Sequence, residues 1–319
     1  MIPQFSFPVK LWQATIPSLK IVIFDRIYQN AVGLPHSILL SMTILILSGL
    51  LFIGALAAGL LGSLTGLGGG VVLIPLLTLL FKVDMHYAIG ASLVSVIATS
   101  SGAAAAYVRD GISNIRLGMF LEVATTAGAV GGAYIATWLS TSVIAIVFGI
   151  VLIISAVLSF LKQDDNLLTG PGSKLTRILK LNGTYPTPQG KQSYTVKNVV
   201  GGFLTMNVAG VLSGLLGIGS GALKVLAMDS IMRTPFKVST TTSNFMIGVT
   251  AAASAGIYLK RGYIDPGLSM PVMLGVLAGA FAGSRILTKT RVSTLKKVFA
   301  IVILLLAAEM IYNGINHKL

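Results

Sequence analysis

Glycine fills four of the five positions from Gly66 to Gly70, in the middle of an apolar run. The pattern returns as Gly217-Ile218-Gly219-Ser220-Gly221, 217 − 66 = 151 positions later, again inside apolar sequence. A glycine in a helix costs roughly 1 kcal/mol relative to alanine, so each cluster should unwind a helix where it stands. In a bilayer such unwound backbone must find partners within the protein or line a polar cavity, because lipid supplies none. Broken helices at matching places in two halves of a membrane chain are the pattern of a carrier's binding site.

The surroundings of the two clusters agree with a bilayer. Hydrophobic residues make up 54% of the chain and charged residues 10%, against about a quarter in soluble domains. Mean hydropathy is +0.88. The formal charge of +14, from 23 basic and 9 acidic residues, sits in short loops between apolar spans. There it sets orientation and meets anionic headgroups, so no nucleic-acid partner is expected. The absence of cysteine excludes a disulfide, a thiolate metal site and a sulfur relay. Met1 to Phe7 lack the charged start and apolar core of a cleaved leader, so no cleavage is expected.

These features define an all-α polytopic membrane protein built from two homologous, inverted repeats of about five membrane segments each, with short broken half-helices. Residues 1–36 read either as an amphipathic segment lying at the interface or as a span. Trp12, Ile16, Leu19, Ile23 and Ile27 share a face there, and Pro17 interrupts it. The first repeat occupies 37–161 and the second 198–314, joined by a polar, cytoplasmic linker at 162–197 rich in turn signals, with a short tail at 315–319. Superposed at the offset of 151 without a gap, the halves share Phe52/Phe203, Gly59/Gly210, Ser92/Ser243, Tyr107/Tyr258, Gly111/Gly262, Gly128/Gly279 and several more. Opposite loop charge suggests the inversion. The loop near Ser140 is uncharged, whereas its counterpart carries Arg285, Lys289, Arg291, Lys296 and Lys297.

At this point the residues resemble a known family. An apolar segment entering Gly66-Leu67-Gly68-Gly69-Gly70 and then Ile74-Pro75, an alanine-rich segment after Ala88-Ile89-Gly90-Ala91-Ser92, a polar linker and a second glycine cluster are similar to the sulfite exporter TauE/SafE family of membrane permeases. The resemblance covers Ile38 to Gly314. It implies a prokaryotic-type plasma-membrane permease that moves sulfite, organosulfonates or related small anions. The second copy departs from the first at Ser220, at Lys224 opposite Leu73, and at Leu226 opposite Pro75.

A small oxyanion needs several N–H donors and a modest positive potential, and the start of a helix supplies both. Gly66, Gly68, Gly69 and Gly70, with Gly217, Gly219, Ser220 and Gly221, are therefore expected to bind substrate backbone-first. The alternative reading is close helix packing, which is accepted for the small-residue stripes Gly54-Ala58-Gly62-Gly66, Ala124-Gly128-Gly132-Ala136 and Gly275-Gly279-Gly283. Lys224, three positions after Gly221, is expected to contact the anion, or else to pair with Asp229 or snorkel to the interface. Ser243 and Asn244, in the polar run from Ser239 to Asn244 that opens the apolar segment from Val238 to Leu259, join the site with Ser92 as symmetric partner, and Asn207 is a further candidate. Glu122 is read as a proton-coupling carboxylate inside the membrane, or as an interfacial residue.

The function expected is secondary carriage of a small sulfur anion by alternating access. Another small anion, or a passive channel, fits the same pattern. A membrane enzyme or sulfur-handling subunit is disfavoured, because His36, His86 and His317 form no cluster and no nucleotide-binding loop exists. No metal and no cofactor are expected. The expected partners are the anion, the lipid bilayer and a coupling proton or sodium ion, and a homodimer is compatible with the pattern.

Overall fold

The computed structural model describes residues 36–65, 69–109, 111–160, 173–187, 190–287 and 292–316. The N-terminal segment 1–35, Gly66 and Gly68 lie outside the described residues. The first half holds α1 (His36–Thr65), α2 (Gly70–Pro75), α3 (Met85–Arg109), α4 (Ile115–Ala136) and α5 (Thr141–Phe160). After α6 (Lys174–Ile178) and the strands β1 (Gly183–Thr187) and β2 (Gly190–Tyr194) come α7 (Val199–Leu216), α8 (Gly221–Leu226), α9 (Phe236–Lys260), α10 (Pro266–Leu287) and α11 (Val292–Ile315). Among the described residues three helices are long and apolar enough to cross a membrane, within Leu45–Gly62, Ile115–Ala136 and Val199–Leu216. Shorter apolar helical stretches include Gly70–Leu80 and Thr141–Val157. The chain is an all-α membrane protein apart from one hairpin.

The spacing of 151 governs the backbone as well as the sequence. Adding 151 to the ends of α1, α3 and α4 gives the C-terminal ends of α7, α9 and α10, at Leu216, Lys260 and Leu287. Both half-helices widen into a π-helical turn, Leu76–Leu80 after α2 and Ala227–Ile231 after α8. Both then close with a cation in the left-handed region, Lys82 at φ 53° and Arg233 at φ 56°. A cation suits that end of a helix, where unpaired carbonyls carry partial negative charge.

The halves exchange partners. Helix α1 packs on α10 and α4 packs on α7, while α3 meets α9 and α5 meets α11. Small residues make the first two seams close. Gly59 lies against the backbone of Val276 and Gly210 against that of Thr125, which are the same contact displaced by 151. Gly128 on Asn207 and Gly279 on Leu56 form a second such pair. Of the stripes expected to serve packing, Gly128 and Gly132, and Gly275 and Gly279, bring helix backbones together where a side chain would intrude, whereas Gly54 meets the Leu76 and Phe81 side chains and Gly66 lies outside the described residues.

The 162–197 linker carries structure of its own. Lys174, Arg177 and Lys180 are exposed, yet Thr176, Leu181, Tyr194 and Val196 are buried against Leu117, Leu121 and Met232. Asn114 anchors the docking, its Nδ2 donating to the Leu181 carbonyl at 2.9 Å and to the Tyr194 hydroxyl at 2.7 Å. Burial pushes the Tyr194 phenol up to about 12, against the lowering effect of the Asn114 hydrogen bond. A phenol near 10 when unfolded and near 12 when folded contributes stability that is complete below pH 10 and fades as pH rises through 12. Alkaline titration of the purified protein should show one tyrosinate forming late, together with loosening of the hairpin. Tyr194→Phe should remove that late step from the absorbance titration.

Candidate functional site: two helix breaks that meet in the protein interior

The second break is built from backbone that only a few residues tolerate. Helix α7 ends at Gly217, whose φ is 66°, and Gly219 follows at φ 72°. Ser220 then takes φ 46° as the residue preceding α8, a conformation that costs a non-glycine residue roughly 1–2 kcal/mol. Strain of this kind collects at functional positions. A valine at Gly219 would add the same strain and drive its Cβ to 2.8 Å from the Ile247 side chain.

At the first break Gly69 is helical, at φ −62°, and its carbonyl accepts from the amides of Val72 and Leu73. Gly70 then begins α2 against the other half of the molecule. A Cβ added there would lie 2.6 Å from Ser92 Oγ and 3.3 Å from the Gly217 carbonyl. Ser92, wholly buried on α3, donates its hydroxyl to that carbonyl at 2.9 Å. The two glycine clusters, 151 residues apart, thus come together through a serine of the first half. On the other side the equivalent Ser243 donates to the Gly221 carbonyl at 3.3 Å. Ser92→Ala should destabilise the protein by about 1–2 kcal/mol, because the Gly217 carbonyl would be left buried without its donor. Thermal unfolding in detergent measures that loss, and an unchanged midpoint would show the contact to be energetically idle.

Between the breaks is a small cavity of about 10 Å³, lined by Val71, Ile218, Ser220, Gly221, Leu223 and two residues of α5, Val151 and Ser155. That is roughly the space one water requires. The Ser220 hydroxyl, buried and without a protein partner, belongs to this lining. The first turns of α2 and α8 both reach this cavity, through Val71 and Gly221, and the first amides of each helix have no intrahelical acceptor. In this conformation the junction is closed around a water-sized space.

Deeper along α8 lies a charged group. Lys224 is fully buried, so it does not snorkel, and its Nζ donates to Thr250 Oγ1 at 2.6 Å. Thr250 Oγ1 is 2.7 Å from Glu122 Oε1 and 2.9 Å from the Met246 carbonyl, and its single proton serves one of these at a time. Thr126 donates to the same Oε1 at 2.9 Å. Glu122 itself is 8% exposed, buried rather than interfacial, and its Oε2 has no hydrogen-bond partner among the described residues. The ammonium of α8 and the carboxylate of α4 therefore face each other through one hydroxyl of α9.

Two of the residues expected at the site stand elsewhere or at its edge. Asn207 Nδ2 donates to the Ala124 carbonyl at 3.1 Å, within the α4–α7 seam and not at the breaks. Asn244 is half-buried beside Ser243. Thr250 and Tyr258 were not anticipated from the sequence. Tyr258 is wholly buried, and its hydroxyl donates to the carbonyls of Gly214 and Leu215 at 3.3 Å, holding the end of α7. A usable signal existed for Thr250. Ser239, Ser243, Thr250 and Ser254 follow helical spacing, and all four are buried. Among the described residues no group of His, Asp and Glu could hold a metal ion.

The two charged members of this group have no counterpart in the other half, although the threonine has one. Removing 151 from Lys224 and Thr250 gives Leu73 and Thr99, and adding it to Glu122 gives Met273.

Comparison with known proteins settles the kinship. The family model described as sulfite exporter TauE/SafE matches residues 51–310, which include both breaks and every helix between them. The chain belongs to the sulfite exporter TauE/SafE family. Among its relatives it is similar to the probable membrane transporter protein YunE of Bacillus subtilis (strain 168), 28% identical over 283 residues, covering 86% of this chain and 99% of that one. It is also similar to the probable membrane transporter protein YdhB of the same organism, 27% identical over 71% of this chain and 85% of the other. A probable membrane transporter protein of Xylella fastidiosa (strain 9a5c) is 26% identical over 82% of this chain and 93% of its own length. No solved structure matches significantly. As a TauE/SafE protein with these relatives, the chain is a membrane transporter.

Proposed function

We propose that this TauE/SafE protein is a secondary carrier in the plasma membrane for a small sulfur-containing anion, sulfite or an organosulfonate, working by alternating access around the two glycine breaks. The observation that carries this reading is the junction itself. Gly70 and Ser92 of the first half meet Gly217 of the second, and Gly221 lines the adjoining cavity with Val71. Two helix starts that converge offer unpaired amides and the positive ends of two dipoles, a field suited to a compact oxyanion and free of any permanent charge that would trap it. The family description supplies the chemical class.

The reciprocal seams, α1 on α10 and α4 on α7, are what a two-fold relation between the halves would produce. Unlike loop charges favour placing that axis in the membrane plane, as an inverted repeat, with the linker and hairpin in the cytoplasm. The closed, water-sized cavity then corresponds to an empty carrier, which must part the breaks to admit a solute.

The test is a thermal-shift screen of purified protein against sulfite, sulfate, thiosulfate, sulfoacetate, taurine and simple carboxylates, followed by flux in proteoliposomes. A ligand that binds only the folded form raises the melting point, by an amount set by its concentration over Kd. Stabilisation by a sulfur oxyanion or sulfonate, with saturable counterflow of the same compound, is expected. Stabilisation by carboxylates alone would overturn the substrate class, and flux without saturation or counterflow would overturn the carrier.

A further inference from the structure

The Lys224–Thr250–Glu122 group has a property that the anion site alone does not require. It is a pair of opposite charges buried among the helices, where an unbalanced charge is expensive. The ammonium is on α8, the half-helix that starts at the break. Leu223 beside it lines the cavity, and Gly221 lines it one turn earlier. An anion arriving at the break adds a second negative charge next to a single ammonium. Lys224 can neutralise Glu122 or the anion, but not both.

We infer that Glu122 is the proton-binding site of the transport cycle, taking up one proton for each anion that binds and so releasing Lys224 to the anion. This rests on the anion-carrier reading above. In the empty state Lys224 ammonium and Glu122 carboxylate cancel through the Thr250 hydroxyl. In the loaded state the ammonium and the anion cancel, and Glu122 is a neutral acid. Both states carry no net charge in the membrane. The proton comes from the aqueous side open at the time and leaves with the anion on the other, with no bond to the solute made or broken.

The geometry has a place for that proton. Glu122 Oε1 already accepts from Thr126 and Thr250, whereas Oε2 is buried without a partner. A protonated Oε2 turns the unpaired acceptor into a donor. A sodium ion does not fit, since it would sit beside an ammonium already present and needs a shell of oxygens, not one free carboxylate oxygen. Among the described residues no other ionisable group forms an ion pair with Glu122. Helix α7 contains none. On α9, Lys237, Tyr258 and Lys260 lie at least eight residues from Thr250, about 12 Å along the helix. On its own helix, Arg116 is six residues away at the N-terminal end, and the turn after α8 holds Asp229 five residues beyond Lys224.

The experiment uses full-length protein in detergent and singly charged anions that hold no proton near neutrality, methanesulfonate and ethanesulfonate. Binding measured from pH 6 to 9 should weaken by up to tenfold per pH unit, because one proton enters with each anion. Calorimetry in buffers of different ionisation heat should show close to one proton taken up per anion bound. Glu122→Gln, which keeps the acceptor for Thr126 and Thr250 but cannot titrate, should bind with a pH-independent Kd near the wild-type acid value and take up no proton. Wild-type binding without proton uptake overturns the inference and needs no variant to do so. A Glu122→Gln protein that keeps the wild-type pH slope, or binding that follows sodium instead of pH, overturns it too. If neither anion nor any other in the screen binds, the carrier reading beneath it falls instead.

Discussion

Lys224→Ala should be the most damaging single truncation in this protein, costing about 3–5 kcal/mol of stability and leaving no measurable anion uptake. The reason lies in what remains. With the ammonium gone, Glu122 would be a buried carboxylate near two hydroxyls, and its ionised form would have no counter-charge. The double variant Lys224→Ala/Glu122→Gln removes the orphaned charge together with its partner and should recover most of the lost stability, but none of the transport. Melting curves for the two singles and the double give the coupling directly. A Lys224→Ala protein that melts with wild type and still transports would show the lysine to be a bystander.

The second large effect concerns two adjacent glycines of α4 with opposite fates. Gly132 lies against the backbone of Val211, so a side chain there meets a carbonyl that no rotamer change can move. Gly131 has nothing within 4 Å of where its Cβ would be. Gly132→Val should separate α4 from α7 at a cost of about 3 kcal/mol or more, at or above the upper end for overpacked interiors. Gly131→Val should change stability by less than about 0.5 kcal/mol, as exposed substitutions do. Expression level and monodispersity in detergent would report the difference before any melting curve. Equal outcomes would mean that the α4–α7 seam is looser than its geometry indicates.

Much of the architecture could be read from the residues because duplication prints the same signal twice. The ends of α1 and α7, the starts of α2 and α8, and the packing glycines all obey the spacing of 151, so a weak local sign in one half is corroborated in the other. The partner of Lys224 was not legible. Glu122 and Thr250 are 128 residues apart, lie in different halves and have no charged or acidic mates at the repeat positions. Nothing in local periodicity joins them, and only the crossing of α4, α8 and α9 does. Asn207 shows a different limit: an amide in a membrane helix invites a ligand reading, and only the fold reveals that its Nδ2 donates to the Ala124 carbonyl of the neighbouring helix. The hairpin was hidden for another reason. Its polar residues face water and mark a linker, whereas the few that hold it down, Leu181, Tyr194 and Val196, are too widely spaced to announce a core.

Lys224 of the second half answers to a leucine in the first, and Glu122 of the first half answers to a methionine in the second, so the charge pair bridges the halves once and has no mirror image. A carrier whose halves were identical could swap their roles and arrive at a mirror conformer of equal energy. This one cannot, because the charged bridge from Glu122 to Lys224 joins the two arms on one side only, and exchanging the arms' roles would put a leucine and a methionine in its place. The unloaded protein should therefore rest facing a preferred side, and vesicles of opposite sidedness should half-saturate at different solute concentrations even with no gradient across them.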